Sequence, residues 1–204
     1  NYIGGDFGAK GPVMDECLCY FLSKRTGRPV KMVMDYIEEF MAGNPRHGSM
    51  IHVRTGVKND GTITAHKEDL IFNSGAYAAL MPWGFLAGVG GIAGNLHIPN
   101  AQFNVFHVYT NLIPCGYMRG PGEAQGTFAI ESHIDDIARK MQMDPLEFRL
   151  KNTIRDEDPT PMGETFTRIR AVETLEAAVQ ASGYNESKPV NVGRGIAMCA
   201  RPGS

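Results

Sequence analysis

The sequence predicts an α+β fold, in which a mixed sheet with a β-hairpin packs against helices. Lys58-Asn59-Asp60-Gly61 lies between two apolar runs and is a strong hairpin-turn signal. Ile130, Ile134, Ile137 and Met141 recur at spacings that place them on one face of a helix. Predicted helices and strands do not alternate regularly, so a purely parallel βαβ sheet is not expected.

In the first half of the chain, a Gly-rich loop precedes a helix that begins near Pro12 and ends near Gly27. Val13, Cys17 and Tyr20/Phe21 form the apolar stripe of that helix. Residues 75–94 are rich in Gly and Ala and nearly uncharged, which favours burial. The expected strands and helix that follow Gly27 are Val30–Met34, Met50–Val57, Thr62–Phe72 and the helix Tyr77–Val89.

In the second half, the Ile periodicity defines a long helix. Asp144 and Pro145 then provide an N-cap and a first-turn proline for a short helix that reaches about Ile154. The expected elements in order are a strand Gln102–Asn111, a helix Glu123–Met141, the short helix, a helix through Val172, Leu175 and Val179 that ends near Gly183, and a strand Gly193–Ala200.

Length and charge limit the organisation and the partners. The 204 residues suit one large domain or two small ones, and the net charge of −2 argues against a nucleic-acid partner. No apolar run is long enough to span a membrane, so no membrane partner is expected.

The chain starts at Asn1 without Met, close to ordered sequence. We therefore expect a piece of a longer protein, with a partial domain at 1–185 and the start of a following unit at 186–204.

The cysteines and histidines do not form a recognisable metal site. Cys17, Cys19, Cys115 and Cys199 include no Cys-x-x-Cys pair, and the six histidines include no His-x-x-x-His pair. We expect no metal bound by direct side-chain ligation and no disulfide framework. Reduced structural thiols favour a cytoplasmic protein.

The Gly-rich loop Gly4-Gly5-Asp6-Phe7-Gly8-Ala9-Lys10 matches neither the P-loop nor the dinucleotide fingerprint. Its glycines allow a tight turn that presents amide N–H groups to an oxygen or an anion. A plain strand-to-helix turn is the alternative interpretation.

Arg119 lies between a strand end and the turn Gly120-Pro121-Gly122, where side chains often meet ligands. Its planar guanidinium offers five donors. The alternative is an ion pair with Glu123 or Glu131.

Together with other motifs, these segments resemble the molybdenum-binding subunit of the xanthine dehydrogenase / aldehyde oxidoreductase family. The family's Gly-Gly-x-Phe-Gly-x-Lys loop is matched by residues 4–10, and its Asp-Pro-x-Glu-x-Arg-x-x-Asn segment by residues 144–152. Between these come, in family order, Glu38-Glu39, Arg46-His47, Gly75-Ala76-Tyr77, Met118-Arg119-Gly120-Pro121-Gly122, and Glu131 with Asp135. The agreement covers residues 1–154.

The resemblance implies a molybdopterin cofactor carrying molybdenum, expected as the cytosine dinucleotide. It implies that the amides near Phe7 and Gly8 donate to an oxygen ligand of the metal and that Arg119 holds the cofactor beside it. The implied activity is oxidation of a small molecule with oxygen derived from water. The cofactor-binding residues that the resemblance implies are Gly5, Phe7, Gly8, Met118, Arg119 and Gly120.

Departures from the family pattern bear on the substrate. Purine-oxidising members have Glu, Arg and an aromatic residue where this chain has Gly11, Ala87 and Pro121. These three positions of the substrate pocket therefore favour an aldehyde or a non-purine N-heteroaromatic substrate. The carbon monoxide dehydrogenase branch has a Cys just after the Arg, where this chain has Gly120.

The resemblance also implies partners. These are the remainder of the molybdenum subunit, and [2Fe–2S] and FAD units on other domains or subunits. The catalytic Glu is expected beyond Ser204, so this piece contains no catalytic residue and is expected to be inactive and free of cofactor. The alternatives are a non-catalytic scaffold domain derived from the family, or an unrelated anion-binding domain.

Overall fold

The computed structural model describes residues 4–8, 15–77, 93 and 95–200. Within these ranges lie five helices and a three-stranded sheet. The helices are α1 (Asp15–Thr26), α2 (Tyr36–Ala42), α3 (Glu123–Lys140), α4 (Pro145–Asn152) and α5 (Ala171–Ser182). The strands are β1 (Ser49–Val57), β2 (Ile63–Gly75) and β3 (Ala101–Tyr109).

The sheet has the order β1-β2-β3, and it is mixed as predicted. β1 pairs antiparallel with β2, and β2 pairs parallel with β3. The predicted turn closes the hairpin, because Lys58 N–H donates to Thr62 O at 2.9 Å and Gly61 N–H donates to Lys58 O at 2.9 Å. Gly61 has a φ of +88°, a conformation that glycine adopts without steric cost.

The hydrophobic core lies between the sheet and α3. Alternate residues of β2 point toward it, so Leu70 and Phe72 are fully buried while their neighbours are only partly covered. On α3, Ile130 and Ile134 are fully buried, and Ile137 packs at the margin of the same cluster. The predicted apolar face of this helix is therefore confirmed.

The short helix α4 ties the hairpin to α3. Asp144 caps it by accepting from Leu146 N–H at 2.8 Å, as the Asp-Pro pattern predicts. Asn152 accepts from Ile63 N–H at 2.8 Å and donates to Gly61 O at 2.9 Å, so it holds the hairpin turn. Three residues earlier on α4, the fully buried Arg149 pairs with Glu131 at 2.8 Å and with Asp135 at 2.7 Å.

Two strand predictions are wrong. Val30–Met34 contains no strand, and the next element is the unpredicted helix α2. The signal for α2 is visible in the sequence: Asp35 and Glu38 form a capping box, with each side chain bonded to the backbone of the other. The predicted strand Gly193–Ala200 is also absent, because Met198 N–H donates to the Glu131 side chain at 2.9 Å instead of to a strand.

Helix α1 begins at Asp15 in the described residues, and Gly27 follows its last residue, as predicted. The predicted start near Pro12 and the stripe residue Val13 lie outside the described residues, whereas Cys17, Tyr20 and Phe21 of the apolar stripe are exposed. The predicted helix Tyr77–Val89 lies, apart from Tyr77, outside the described residues. No helix in the described ranges is long and apolar enough to cross a membrane.

Candidate cofactor-binding site

The structure brings the Gly-rich loop and the Arg119 segment together. Arg119 N–H donates to Phe7 O at 2.8 Å, although the two residues are far apart in sequence. Gly8, with a φ of +93°, lies directly against Tyr117, and a Cβ on Gly8 would come within 3.0 Å of the Tyr117 Cβ. Glycine at this position therefore permits both the turn and the close approach.

Several amide N–H groups of these segments have no partner among the described residues. They are the N–H groups of Phe7, Gly8 and Gly120. Phe7, Gly8 and Gly120 all have positive φ, which breaks the alternation of an extended chain. The two segments therefore offer backbone donors of the kind that bind an oxygen or an anion.

A third segment, Arg46-His47 ahead of β1, forms hydrogen bonds with the Arg119 segment and with α3. The Arg46 guanidinium donates to Arg119 O at 2.7 Å, to Gly120 O at 2.9 Å and to Gln125 Oε1 at 3.3 Å. Gln125, in the first turn of α3, also donates to His47 O at 2.9 Å. Sequence reasoning cited Arg46-His47 only as part of a motif and did not predict these contacts.

The Arg119 side chain is exposed, and no hydrogen bond or ion pair joins its guanidinium to the other described residues. One of the two alternative ion pairs is excluded, because Glu131 is bound to Arg149. As far as the described part of the chain shows, the guanidinium is therefore available to a ligand.

Next to this site, three polar groups lie at the end of β2 without a hydrogen-bond partner. They are His47 Nε2, Ser74 Oγ and His107 Nδ1. Burial lowers the pKa of His47, and the neighbouring His107 and Arg46 lower it further. Burial also lowers the pKa of His107 and raises that of the Cys115 thiol. The side chains of His47, His107 and Cys115 therefore remain neutral near pH 7.

His47 is expected to make the stability of the chain depend on pH. Folded His47 stays neutral below the ordinary histidine pKa of about 6.5, whereas unfolded His47 becomes protonated there. The unfolded state then binds more protons, so the contribution of His47 to the free energy of unfolding decreases as the pH falls through about 6.5 and is constant well above it. Urea unfolding of the chain at pH 7.5, 6.5 and 5.5 measures the decrease.

His47→Gln is expected to make this decrease smaller, while His107 and His133, whose pKa values are also lowered by burial, keep part of it. His52→Gln, at an exposed position on β1, is the control for removal of one imidazole. If the free energy of unfolding of His47→Gln decreased with falling pH as much as that of the unmodified chain, His47 would not be a source of the pH dependence.

The donors present fit a molybdopterin cofactor. Its metal is carried by the pterin, so the site needs backbone amides and polar groups and not a set of side-chain ligands. The described ranges contain no group of three His, Cys, Asp or Glu residues placed to hold a metal ion. Gly11 and Ala87, predicted for the substrate pocket, lie outside the described residues, whereas Pro121 is half-buried beside Gly120.

The comparison with known families identifies the class of protein. The molybdopterin cofactor-binding domain family matches residues 1–153, and the chain belongs to this family. The match includes the Gly-rich loop, the Arg119 segment and all of α4.

The chain is also similar to individual proteins of this kind. The chain is 37% identical over 165 residues to the xanthine dehydrogenase molybdenum-binding subunit of Escherichia coli O157:H7, an alignment that covers 79% of the chain and 22% of that protein. Among solved structures, it is similar to the aldehyde oxidoreductase of Desulfovibrio gigas, with a TM-score of 0.79, 30% identity and coverage of 91% of this chain and 21% of the other. It is also similar to the quinoline 2-oxidoreductase of Pseudomonas putida 86, with a TM-score of 0.81, 27% identity and coverage of 90% and 24%. The chain thus spans about a fifth to a quarter of the length of these proteins.

Proposed function

We propose that this chain forms part of the molybdopterin-binding subunit of a molybdenum-dependent oxidoreductase. The observation that carries the proposal is the hydrogen bond from Arg119 N–H to Phe7 O, which joins the two predicted cofactor-binding segments. The membership of residues 1–153 in a molybdopterin cofactor-binding family supports it.

The chain's own residues would hold the cofactor from one side. The free amides of Phe7, Gly8 and Gly120 suit oxygen atoms near the metal, and Gly5 and Met118 flank these donors. The exposed Arg119 guanidinium suits an anionic or carbonyl group of the cofactor. When bound, the cofactor supplies a two-electron oxidation, in which substrate and water yield hydroxylated product, two electrons and two protons.

We further propose an aldehyde or a non-purine N-heteroaromatic compound as the substrate. Pro121 supports this choice, because its aliphatic ring cannot stack on a purine as an aromatic side chain does. The names of the relatives include xanthine, aldehyde and quinoline enzymes, so similarity alone does not select among these substrates. Steady-state rates of the full-length enzyme with an aldehyde, quinoline and xanthine test the choice, and a preference for xanthine would contradict it.

Replacement of Arg119 tests the proposed function directly. In the full-length protein, Arg119→Ala is expected to lower the molybdenum content or the turnover by about tenfold or more, as loss of a group that supports a metal centre does. Elemental analysis and pterin fluorescence measure the cofactor content per chain. Arg54→Ala, at an exposed position on β1, is the matched control. A variant with normal metal content and normal activity would contradict the assignment of Arg119.

A non-catalytic scaffold domain is the second candidate. The same elemental analysis on the unmodified full-length protein separates the two, because a scaffold would contain neither molybdenum nor pterin. The exposed apolar residues of α1 and α2 favour packing against a further protein surface, which either candidate requires.

We also propose several properties of the full-length protein. They are the cytosine dinucleotide form of the cofactor, [2Fe–2S] and FAD units as electron carriers, a domain boundary near residue 185, and a catalytic Glu outside this chain. We also propose that the 204-residue piece alone is inactive and does not retain the cofactor. Four free cysteines agree with the proposed cytoplasmic location.

A further inference from the structure

The two peptide units on either side of the Arg119 Cα are each held by one hydrogen bond. The unit before it donates from Arg119 N–H to Phe7 O at 2.8 Å. The unit after it accepts at Arg119 O from Arg46 Nη2 at 2.7 Å. Because a peptide unit is planar, a bond to each unit restrains both planes. Phe7 and Arg46 together therefore set the direction in which the Arg119 side chain leaves the backbone.

Arg46 also sets the direction of the next amide. Its Nη1 donates to Gly120 O at 2.9 Å, so two successive carbonyls face one guanidinium. Gly120 lies between these carbonyls with a φ of +73°, which glycine tolerates and which departs from the alternating carbonyls of a strand. In a trans peptide the N–H points opposite to the C=O, so the free Gly120 N–H points away from Arg46.

The backbone around Arg46 is itself anchored. Pro45 O accepts from Gly116 N–H at 3.0 Å, and His47 O accepts from Gln125 Nε2 at 2.9 Å. The guanidinium is a rigid planar fork that can serve two carbonyls at once, whereas a lysine ammonium is a point charge on a flexible stem.

We propose that Arg46 is a positioning residue for the cofactor-binding peptide Arg119–Gly120. It acts through the two carbonyl oxygens, and it aims the Arg119 side chain and the Gly120 N–H at the cofactor without touching the cofactor itself. This inference rests on the proposed function of Arg119.

The test uses Arg46→Lys in the full-length holoenzyme, because lysine keeps the charge but lacks the planar fork whose two nitrogens hold the two carbonyls in a fixed geometry. We expect a normal thermal unfolding midpoint together with at least about tenfold lower kcat, equal to roughly 1.4 kcal/mol, and little change in KM. We also expect a shifted Mo(V) electron paramagnetic resonance signal, or loss of molybdenum from the folded protein. A merely structural role would not change kcat and this signal at a constant unfolding midpoint.

Arg54→Lys is the matched control, and Arg46→Ala with and without added methylguanidinium is the second measurement. Methylguanidinium is expected to restore part of the kcat of Arg46→Ala. Normal kcat and a normal Mo(V) signal in Arg46→Lys would overturn the inference. Failure of Arg46→Lys to fold when Arg54→Lys folds would also overturn it, by assigning Arg46 to stability.

Arg119→Ala in the same host separates the two proposals. If Arg119→Ala loses molybdenum or turnover while Arg46→Lys does not, only the positioning role fails. If neither variant differs from the unmodified enzyme, the proposed function of this site fails as well.

Discussion

Arg149→Met is expected to lower the free energy of unfolding of this chain by about 3–5 kcal/mol, the cost of removing one partner from a buried ion pair. Arg149 is fully buried and donates to Glu131 Oε2 at 2.9 Å and to Asp135 Oδ1 at 2.7 Å. Methionine preserves most of the volume but leaves the buried Glu131 carboxylate without its cationic partner. Urea unfolding followed by circular dichroism measures the loss.

Two further variants show whether the uncompensated charge is the cause. Arg139→Met removes the exposed ion pair with Asp136 and is expected to cost no more than about 1 kcal/mol. Arg149→Met combined with Glu131→Met removes the buried charge as well and is expected to recover part of the stability. A double variant no more stable than Arg149→Met would contradict this explanation.

Gly75→Ala is the second substitution with a large expected effect, a loss of about 3 kcal/mol or more. Gly75 ends β2 with a φ of +73°, and the strain of an L side chain there costs about 1–2 kcal/mol. Its Cβ would also lie 2.7 Å from both the Ile113 carbonyl carbon and the Pro114 Cα, which are backbone atoms that cannot rotate away. The added methyl must therefore displace the loop between β3 and α3, at a further cost of about 1–3 kcal/mol.

Gly163→Ala isolates the contribution of the backbone conformation. Gly163 has a φ of +83°, and nothing lies within 4 Å of the position of its Cβ. The difference in the loss of unfolding free energy between the two variants measures the energetic cost of placing a methyl group where the loop contacts β2. Equal losses in Gly75→Ala and Gly163→Ala would show that this contact is unimportant. Because the same loop continues to Arg119, Gly75→Ala is also expected to reduce cofactor content in the full-length protein.

The sequence by itself determined the elements whose signals are local. Three such signals depend only on residues a few positions apart in the sequence. They are the turn at Lys58–Gly61, the Asp144 cap, and the spacing of Ile130 and Ile134. Local signals failed for Val30–Met34, because a strand also requires a neighbouring strand to accept its hydrogen bonds, and none of the described strands lies there. The capping box at Asp35 was equally local but was not recognised.

The resemblance to a family identified the loop at Phe7 and the segment at Arg119 as cofactor-binding candidates, and the structure placed the two in contact. Only the tertiary structure decided that Arg46 holds the Arg119 carbonyl, which lies 73 residues further along the chain. It also decided that Glu131 pairs with Arg149 and is therefore not the partner of Arg119. Such choices depend on which charged groups the folded backbone brings within about 3 Å of one another, and no local spacing or composition encodes that distance.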